Sequence, residues 1–183
     1  MNTSDCILLA VLLAFSAYFS ASETALSTVN KIRLKSYADN GSKKAKLALD
    51  IAENYDRTLS TILVGNNVVN TASAALMTTV TTALFGASGA VIATAVTTVL
   101  VLIFGEILPK TYGKENSEKL ALTIAGPMHF LIVLLTPVVS IFQLLQRAMV
   151  RLCSKGDKSP SVTEEELKYI LDTIEEEGVM QED

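Results

Sequence analysis

Large parts of this 183-residue chain lack positive charge. Residues 1–30, 58–109 and 120–146 contain no lysine or arginine and carry long apolar runs instead. All 15 basic residues fall in the remaining stretches, which are residues 31–57, 110–119 and 147–168. A soluble domain spreads its charges over its whole surface, whereas lipid hydrocarbon excludes charge and cytoplasmic loops collect Lys and Arg. The distribution therefore excludes a soluble domain and indicates an integral membrane protein.

Cysteine and histidine are scarce, with two and one residues. Cys6 and Cys153 are predicted near opposite faces of the membrane, so we expect no intrachain disulfide, and their separation fits no metal-binding motif. His129 stands alone in an apolar stretch, where packing or an interfacial position explains it better than metal binding. No nucleophile and general base form a recognisable pair. An enzyme is therefore the least favoured class, and we expect no nucleic-acid partner.

The charge map also predicts the topology. If the basic stretches are cytoplasmic, residues 6–29 form one span that enters from an outer amino terminus, because about 20 residues cross a bilayer. Residues 58–84 and 89–109 then form two spans joined by an uncharged outer turn. Residues 120–146 have basic flanks at both ends and are too short to cross twice. We expect them to form a re-entrant hairpin or belt in the inner leaflet, broken at their two prolines.

A cleaved secretory signal is the competing interpretation of the first span. Such signals open with a basic region, whereas residues 1–5 are acidic. The sequence therefore predicts an all-α membrane protein with three transmembrane helices and a juxtamembrane helical belt, together forming a domain over residues 1–150.

Residues 31–57 should form two helices, because Asn40-Gly41 is a helix stop and Ser42 can cap the second helix.

The composition changes towards the carboxyl end. Residues 157–183 hold 10 acidic and 2 basic side chains. Thr163 and Glu166 form a capping box, which predicts an amphipathic helix that ends near Gly178. Residues 151–183 are therefore interpreted as a linker and an acidic helix. Because the sequence stops soon after this helix, we expect a fragment whose next domain has been removed.

Two carboxylates interrupt the predicted spans. Glu23 and Glu106 are the only acidic residues there apart from Asp5 at the outer end. An ionisable side chain inside a membrane is costly, so a functional site is the first hypothesis for both. Glu106 lies between Gly105 and Pro109, where a broken helix could expose backbone carbonyls.

Polar side chains of the other spans lie at a similar predicted depth. Counted from the cytoplasmic edge at 1.5 Å per residue, Ser20 to Glu23 and Asn66 to Asn70 lie roughly 12–20 Å inside. Asn66 and Asn70 are four residues apart and share one helix face. The three spans can thus combine oxygen ligands at one level. Oxygen ligands without imidazole or thiolate suit a hard cation such as Mg²⁺, Ca²⁺ or Na⁺.

Packing is the alternative explanation for these polar residues. Ser, Thr and Asn often join membrane helices by hydrogen bonds, and small residues allow close approach. Packing explains a single asparagine equally well, but three asparagines with two acids on neighbouring spans favour ion binding. We assign packing to seven threonines of the second and third spans, which are Thr78, Thr79, Thr81, Thr82, Thr94, Thr97 and Thr98.

Three segments resemble the signature motifs of the CorC/cyclin M family. They are Phe19-Ser-Ala-Ser-Glu-Thr-Ala-Leu-Ser27, Leu63-Val-Gly-Asn-Asn-Val-Val-Asn-Thr71 and Phe104-Gly-Glu-Ile-Leu-Pro-Lys110. Residues 162–183 are similar to the family's acidic stretch before a paired CBS domain, and these 183 residues do not include that pair. The resemblance implies Mg²⁺ export or transport across the plasma membrane by a homodimer, with nucleotide bound only on the CBS pair.

The resemblance also implies the ligands of the transported ion. The matching positions are Ser20, Asn66, Asn70, Gly105 and Glu106, and Glu23 matches the bacterial form of the first motif. We predict alternating access, with Na⁺ as a candidate coupling ion and the carboxyl terminus in the cytoplasm. The alternative is a membrane-embedded Mg²⁺ sensor without flux. We also predict that the acidic helix responds to cytosolic Mg²⁺, against the alternative of a solvated spacer.

Overall fold

The computed structural model describes residues 3–153, except the side chains of residues 87, 143, 146–148 and 150–153. All regular elements in this range are helical. They are α1 (Thr3–Thr28), α2 (Lys31–Asp39), α3 (Lys43–Glu53), α4 (Tyr55–Phe85), α5 (Gly89–Leu100), α6 (Leu108–Glu115) and α7 (Ser117–Cys153). A 3₁₀ turn, Gly86–Ser88, joins α4 to α5, and a π-helical segment, Val101–Ile107, joins α5 to α6.

Within the described residues, four helical stretches are long and apolar enough to cross a membrane. They are Thr3–Thr28, Tyr55–Phe85, Gly89–Glu115 and Ser117–Phe142. The third of these combines α5, the π-helical segment and α6. The prediction of an all-α membrane protein is confirmed. The described residues up to Leu144 form one compact unit, and the site lies within it.

The turns between the helices follow from local sequence chemistry. Asn30 caps α2 by accepting a hydrogen bond from the Arg33 N–H at 3.1 Å, and Ser42 caps α3 by accepting one from the Ala45 N–H at 3.3 Å. Between them Gly41 has a φ of 89°, a conformation that only glycine adopts without strain. The two predicted helices of residues 31–57 are therefore confirmed. A turn also forms at the predicted position between the second and third spans, with Gly86 at a φ of 63°.

Helix α1 is the central element of the described unit. It packs against α4, α6 and the π-helical segment. Glycines permit the close approach: a Cβ on Gly113 would lie 2.6 Å from the carbonyl oxygen of Ala21, and Gly65 lies against the ring of Phe19. Small residues at such contacts are typical of helix packing in lipid, where backbone proximity replaces the hydrophobic effect. This packing brings the polar face of α1 to the site.

The apolar core lies at the end of α1 next to the basic loop. It joins α1, α2, α3, α4 and α7 in one cluster of buried side chains. Leu34, Ala48 and Met128 are all fully buried in it. Two hydrogen bonds add to this packing: Arg33 donates to Glu118 at 2.8 Å, and Arg57 donates to the Thr136 hydroxyl at 2.9 Å. The core therefore fixes the loop helices to α7.

Helix α7 corrects one prediction. Residues 120–146 form neither a hairpin nor a broken belt, because one continuous helix passes through Pro127 and Pro137. Both prolines lie on the exposed face, whereas the opposite face packs into the core through Ala121, Ala125 and Met128. That packing outweighs the local cost of the missing proline N–H groups. The fourth candidate span is therefore part of one continuous helix.

Candidate metal centre

The centre of the site is the hydroxyl of Ser16. Its Oγ lies 2.8 Å from the Asn70 Oδ1 and 3.2 Å from the Asn66 Oδ1, and Ser16 is fully buried. A hydroxyl has one proton, so it satisfies only one of two amide oxygens at a time. Three side-chain oxygens from α1 and α4 thus converge, and the single hydroxyl proton of Ser16 leaves one of the two amide oxygens without a hydrogen bond from it. Such an arrangement is suited to a positive ion.

The π-helical segment brings the third motif against this group. A Cβ on Gly105 would lie 2.7 Å from the Ser16 Oγ, so only glycine fits here without displacing the hydroxyl. Pro109, four residues later, has no N–H, and the Gly105 carbonyl therefore lacks its usual α-helical donor. The segment winds more widely than an α-helix, because the Leu108 N–H donates a hydrogen bond to the carbonyl of Ile103, five residues before it. The predicted broken helix is therefore not observed: the segment stays helical and winds as a π-helix, which is common at functional sites.

Ser20 lies one helical turn from Ser16 on α1. Its side chain is fully buried, and its hydroxyl has no hydrogen-bond partner among the described residues. A buried polar atom without a partner costs roughly 1–3 kcal/mol. The sequence prediction placed Ser20 among the ligands, and an unpartnered oxygen at this position fits that role.

Glu106 lies on the wall of a cavity between α4 and α5. The cavity has a volume of about 300 Å³, and Asn70 lines it together with Glu106. Its other walls carry threonines, including Thr97, which is 6% exposed and whose hydroxyl has no hydrogen-bond partner within residues 3–153. Sequence analysis assigns Thr97 to packing, whereas the structure places it on the wall of the cavity that Asn70 and Glu106 also line. Two of the predicted ligands, Asn70 and Glu106, therefore face the same cavity.

Glu23 has a different partner. Its Oε2 lies 3.5 Å from the Nζ of Lys110 in α6. The carboxylate is therefore neutralised by an ammonium group in this structure. Glu106, by contrast, forms no ion pair with any residue of 3–153.

Two other candidate residues, Asn67 and His129, lie apart from the site. Asn67 is exposed on α4, about 100° around the helix from Asn66, and the side-chain contacts of Ser16 are made with Asn66 and Asn70 instead. His129 lines a second cavity of about 190 Å³ with Asp50, Arg57 and Thr58. The residue that sequence reasoning left out of the ligand set is Ser16, although its spacing of four residues from Ser20 marked it as a neighbour on the same face.

The donor set determines which ion could bind. No group of three His, Cys, Asp or Glu side chains suitable for a metal occurs within residues 3–153. The converging groups are instead serine hydroxyls, asparagine amide oxygens and one carboxylate. These are hard oxygen donors, which suit Mg²⁺, Ca²⁺ or Na⁺ and disfavour zinc or copper.

Relatives of the chain carry the same domain. A family model for the cyclin M transmembrane N-terminal domain matches residues 7–183. The UPF0053 inner membrane protein YfjD of Escherichia coli is 39% identical over 163 residues, covering 85% of this chain and 37% of that protein. A DUF21 domain-containing chloroplastic protein of Arabidopsis thaliana is 35% identical over 178 residues, covering 97% of this chain and 27% of that protein.

A UPF0053 protein of Haemophilus influenzae is similar at 35% identity over 167 residues, covering 90% of this chain and 40% of that protein. This chain thus spans between 27% and 40% of the length of these three relatives. The match extends across all three polar motifs, and it confirms the family resemblance. The chain therefore belongs to the cyclin M transmembrane domain family, whose multi-pass membrane proteins are linked to divalent-cation transport.

Proposed function

We propose that this chain is the transport domain of a Mg²⁺ transporter of the plasma membrane. The observation that carries the proposal is the convergence of the Ser16, Asn66 and Asn70 oxygens, with one donor proton between two amide acceptors. Ser20, Glu106 and the Gly105 carbonyl complete an oxygen set around this point. The cation is the cargo of the site.

The chemistry of the set supports Mg²⁺ as the cargo. Mg²⁺ requires near-octahedral oxygen ligands and gives up its water reluctantly, so several fixed oxygens must replace its hydration shell. The serine and asparagine side chains come from helices held together by close packing, which keeps these oxygens in place. Glu106, which forms no ion pair in the described part of the chain, supplies negative charge beside them. The alternating-access mechanism and the Na⁺ coupling ion are part of the same proposal.

Flux through proteoliposomes tests this function. Vesicles containing the protein and a Mg²⁺-sensitive dye should pass Mg²⁺ faster than protein-free vesicles, and Asn70→Ala should remove most of that flux. Asn67→Ala is the matched control, because Asn67 is exposed outside the polar group, and it should retain the flux. Mg²⁺ binding by the unaltered protein without any flux would contradict a transporter and favour the membrane-embedded sensor.

The orientation proposal rests on the positive-inside rule. By this rule we propose that the loop of residues 31–57 is cytoplasmic and that the amino terminus is outside. Two contacts of α7 support a position along that cytoplasmic side: Glu118 binds Arg33, and Thr136 binds Arg57. These two α7 residues lie about 27 Å apart along the helix, yet both contact the same basic loop. We therefore propose that α7 lies along the inner face, although its length would also permit a crossing.

Cysteine labelling tests the course of α7. In a background without Cys6 and Cys153, Thr123→Cys and Ser140→Cys place thiols at two exposed positions of the helix. A membrane-impermeant thiol reagent should reach both from the cytoplasmic side only. If α7 crosses the bilayer, Ser140→Cys should react from the outside while Thr123→Cys reacts from the inside.

The rest of the proposed assembly concerns parts beyond the described residues. A homodimer in the lipid bilayer, and nucleotide bound by a CBS pair, are proposed from the family alone. The acidic helix predicted over residues 163–177 lies outside the described residues. Its response to cytosolic Mg²⁺ stays a prediction, based on the repulsion between its glutamates.

A further inference from the structure

The ion pair between Glu23 and Lys110 lies beside the proposed cation site. Glu23 follows Ser20 by three residues and Ser16 by seven, so the three share one face of α1. Lys110 follows Glu106 by four residues and lies one turn away from it. The pair therefore extends the polar face by one turn toward the end of α1 that carries the basic loop.

Stability does not explain this pair well. The Nζ and Oε2 atoms are 3.5 Å apart, and the Lys110 and Glu23 side chains are 43% and 28% exposed. Ion pairs with such exposure contribute little to folding. The close packing of Gly113 against Ala21 holds α1 and α6 together independently of the pair. A role in the charge balance of the site is the better explanation.

We propose that Lys110 acts as a tethered cation. Its ammonium group pairs with the Glu23 carboxylate when no divalent ion is bound, and Mg²⁺ displaces it from that carboxylate on entering the site. This inference rests on the proposed function. A divalent ion carries twice the charge of an ammonium group, so its attraction to Glu23 is stronger than the attraction that Lys110 gives up. A monovalent ion has no such advantage in electrostatic energy. Lys110 thereby discriminates against abundant monovalent ions.

The test compares Lys110→Met with Arg33→Met. Arg33 also forms an ion pair, with Glu118 at 2.8 Å, but it lies in α2 outside the polar group. By calorimetry, Lys110→Met should bind Mg²⁺ about ten-fold more tightly, which corresponds to about 1.4 kcal/mol. Arg33→Met should bind like the unaltered protein, and Lys110→Arg should retain its affinity. Lys110→Gln provides a second neutral variant if the first does not fold.

Competition by K⁺ supplies a readout that a merely structural role would not change. Potassium chloride should weaken Mg²⁺ binding to Lys110→Met more than to the unaltered protein, with N-methylglucamine chloride as the ionic-strength control. In a Glu23→Gln background, Lys110→Met should raise the affinity much less. A full increase in that background would overturn competition for Glu23 in favour of simple repulsion.

The outcomes separate the two proposals. If the unaltered protein binds Mg²⁺ and Lys110→Met leaves both its affinity and its K⁺ sensitivity unchanged, the tethered cation is overturned and the Mg²⁺ site stands. Absence of Mg²⁺ binding by the unaltered protein would overturn the proposed function and this inference together.

Discussion

Asn70→Ala should weaken Mg²⁺ binding by about 10- to 100-fold or more, since even partners behind the direct ligands have effects of that size. Asn66→Ala and Glu106→Gln should have comparable effects. Each variant removes one oxygen from a set that must replace much of the hydration shell of Mg²⁺, and near-octahedral geometry tolerates few gaps. Calorimetric titration of the purified variants measures the loss.

Asn67→Ala is the control for these titrations. It makes the same chemical change one residue from Asn66, but its side chain is exposed and outside the polar group. Its affinity for Mg²⁺ should equal that of the unaltered protein. Equal affinity in all four variants would show that the asparagines serve only to pack the helices.

Gly105→Ala should lower Mg²⁺ affinity about ten-fold or more without removing any ligand atom. The added methyl group would lie 2.7 Å from the Ser16 Oγ and 3.3 Å from its Cβ. Ser16 cannot retreat freely, because its hydroxyl bonds to Asn66 and Asn70. The methyl group therefore separates the π-helical segment from α1 or breaks the serine–asparagine contacts.

Gly126→Ala is the matched substitution in α7. A Cβ there would meet no atom within 4 Å, and alanine favours a helix over glycine by roughly 1 kcal/mol. This variant should bind Mg²⁺ normally and melt at the same temperature or higher, by thermal unfolding in detergent. Normal binding by Gly105→Ala as well would remove Gly105 and its contact with Ser16 from the site.

Sequence patterns anticipated the elements whose causes are local. Asn30 and Ser42 cap their helices through their own side chains, and Gly41 and Gly86 adopt backbone angles that other residues avoid. The lack of charge in the spans likewise reflects the solvent and needs no knowledge of packing. These features depend on a few neighbouring residues, so the order of the helices could be predicted.

Features that depend on packing between distant segments could be predicted less well from the sequence. The proline rule predicted a break in α7, but the face opposite Pro127 and Pro137 is buried in the core and keeps the helix continuous. The motifs indicated Ser20, Asn66 and Asn70 as neighbours. The role of Ser16 became visible only when the rotation of α1 against α4 was known. The pairing of Glu23 with Lys110 also requires that knowledge.

The location of a bound divalent ion tests the central claim most directly. Mn²⁺ accepts the same oxygen ligands as Mg²⁺ and can be located by its anomalous X-ray scattering. Crystals grown with Mn²⁺ should show a peak bonded to the Asn66 and Asn70 side-chain oxygens, next to Gly105 and Glu106. A peak at the cavity of Asp50 and His129 instead, with none between α1, α4 and the π-helical segment, would contradict the account.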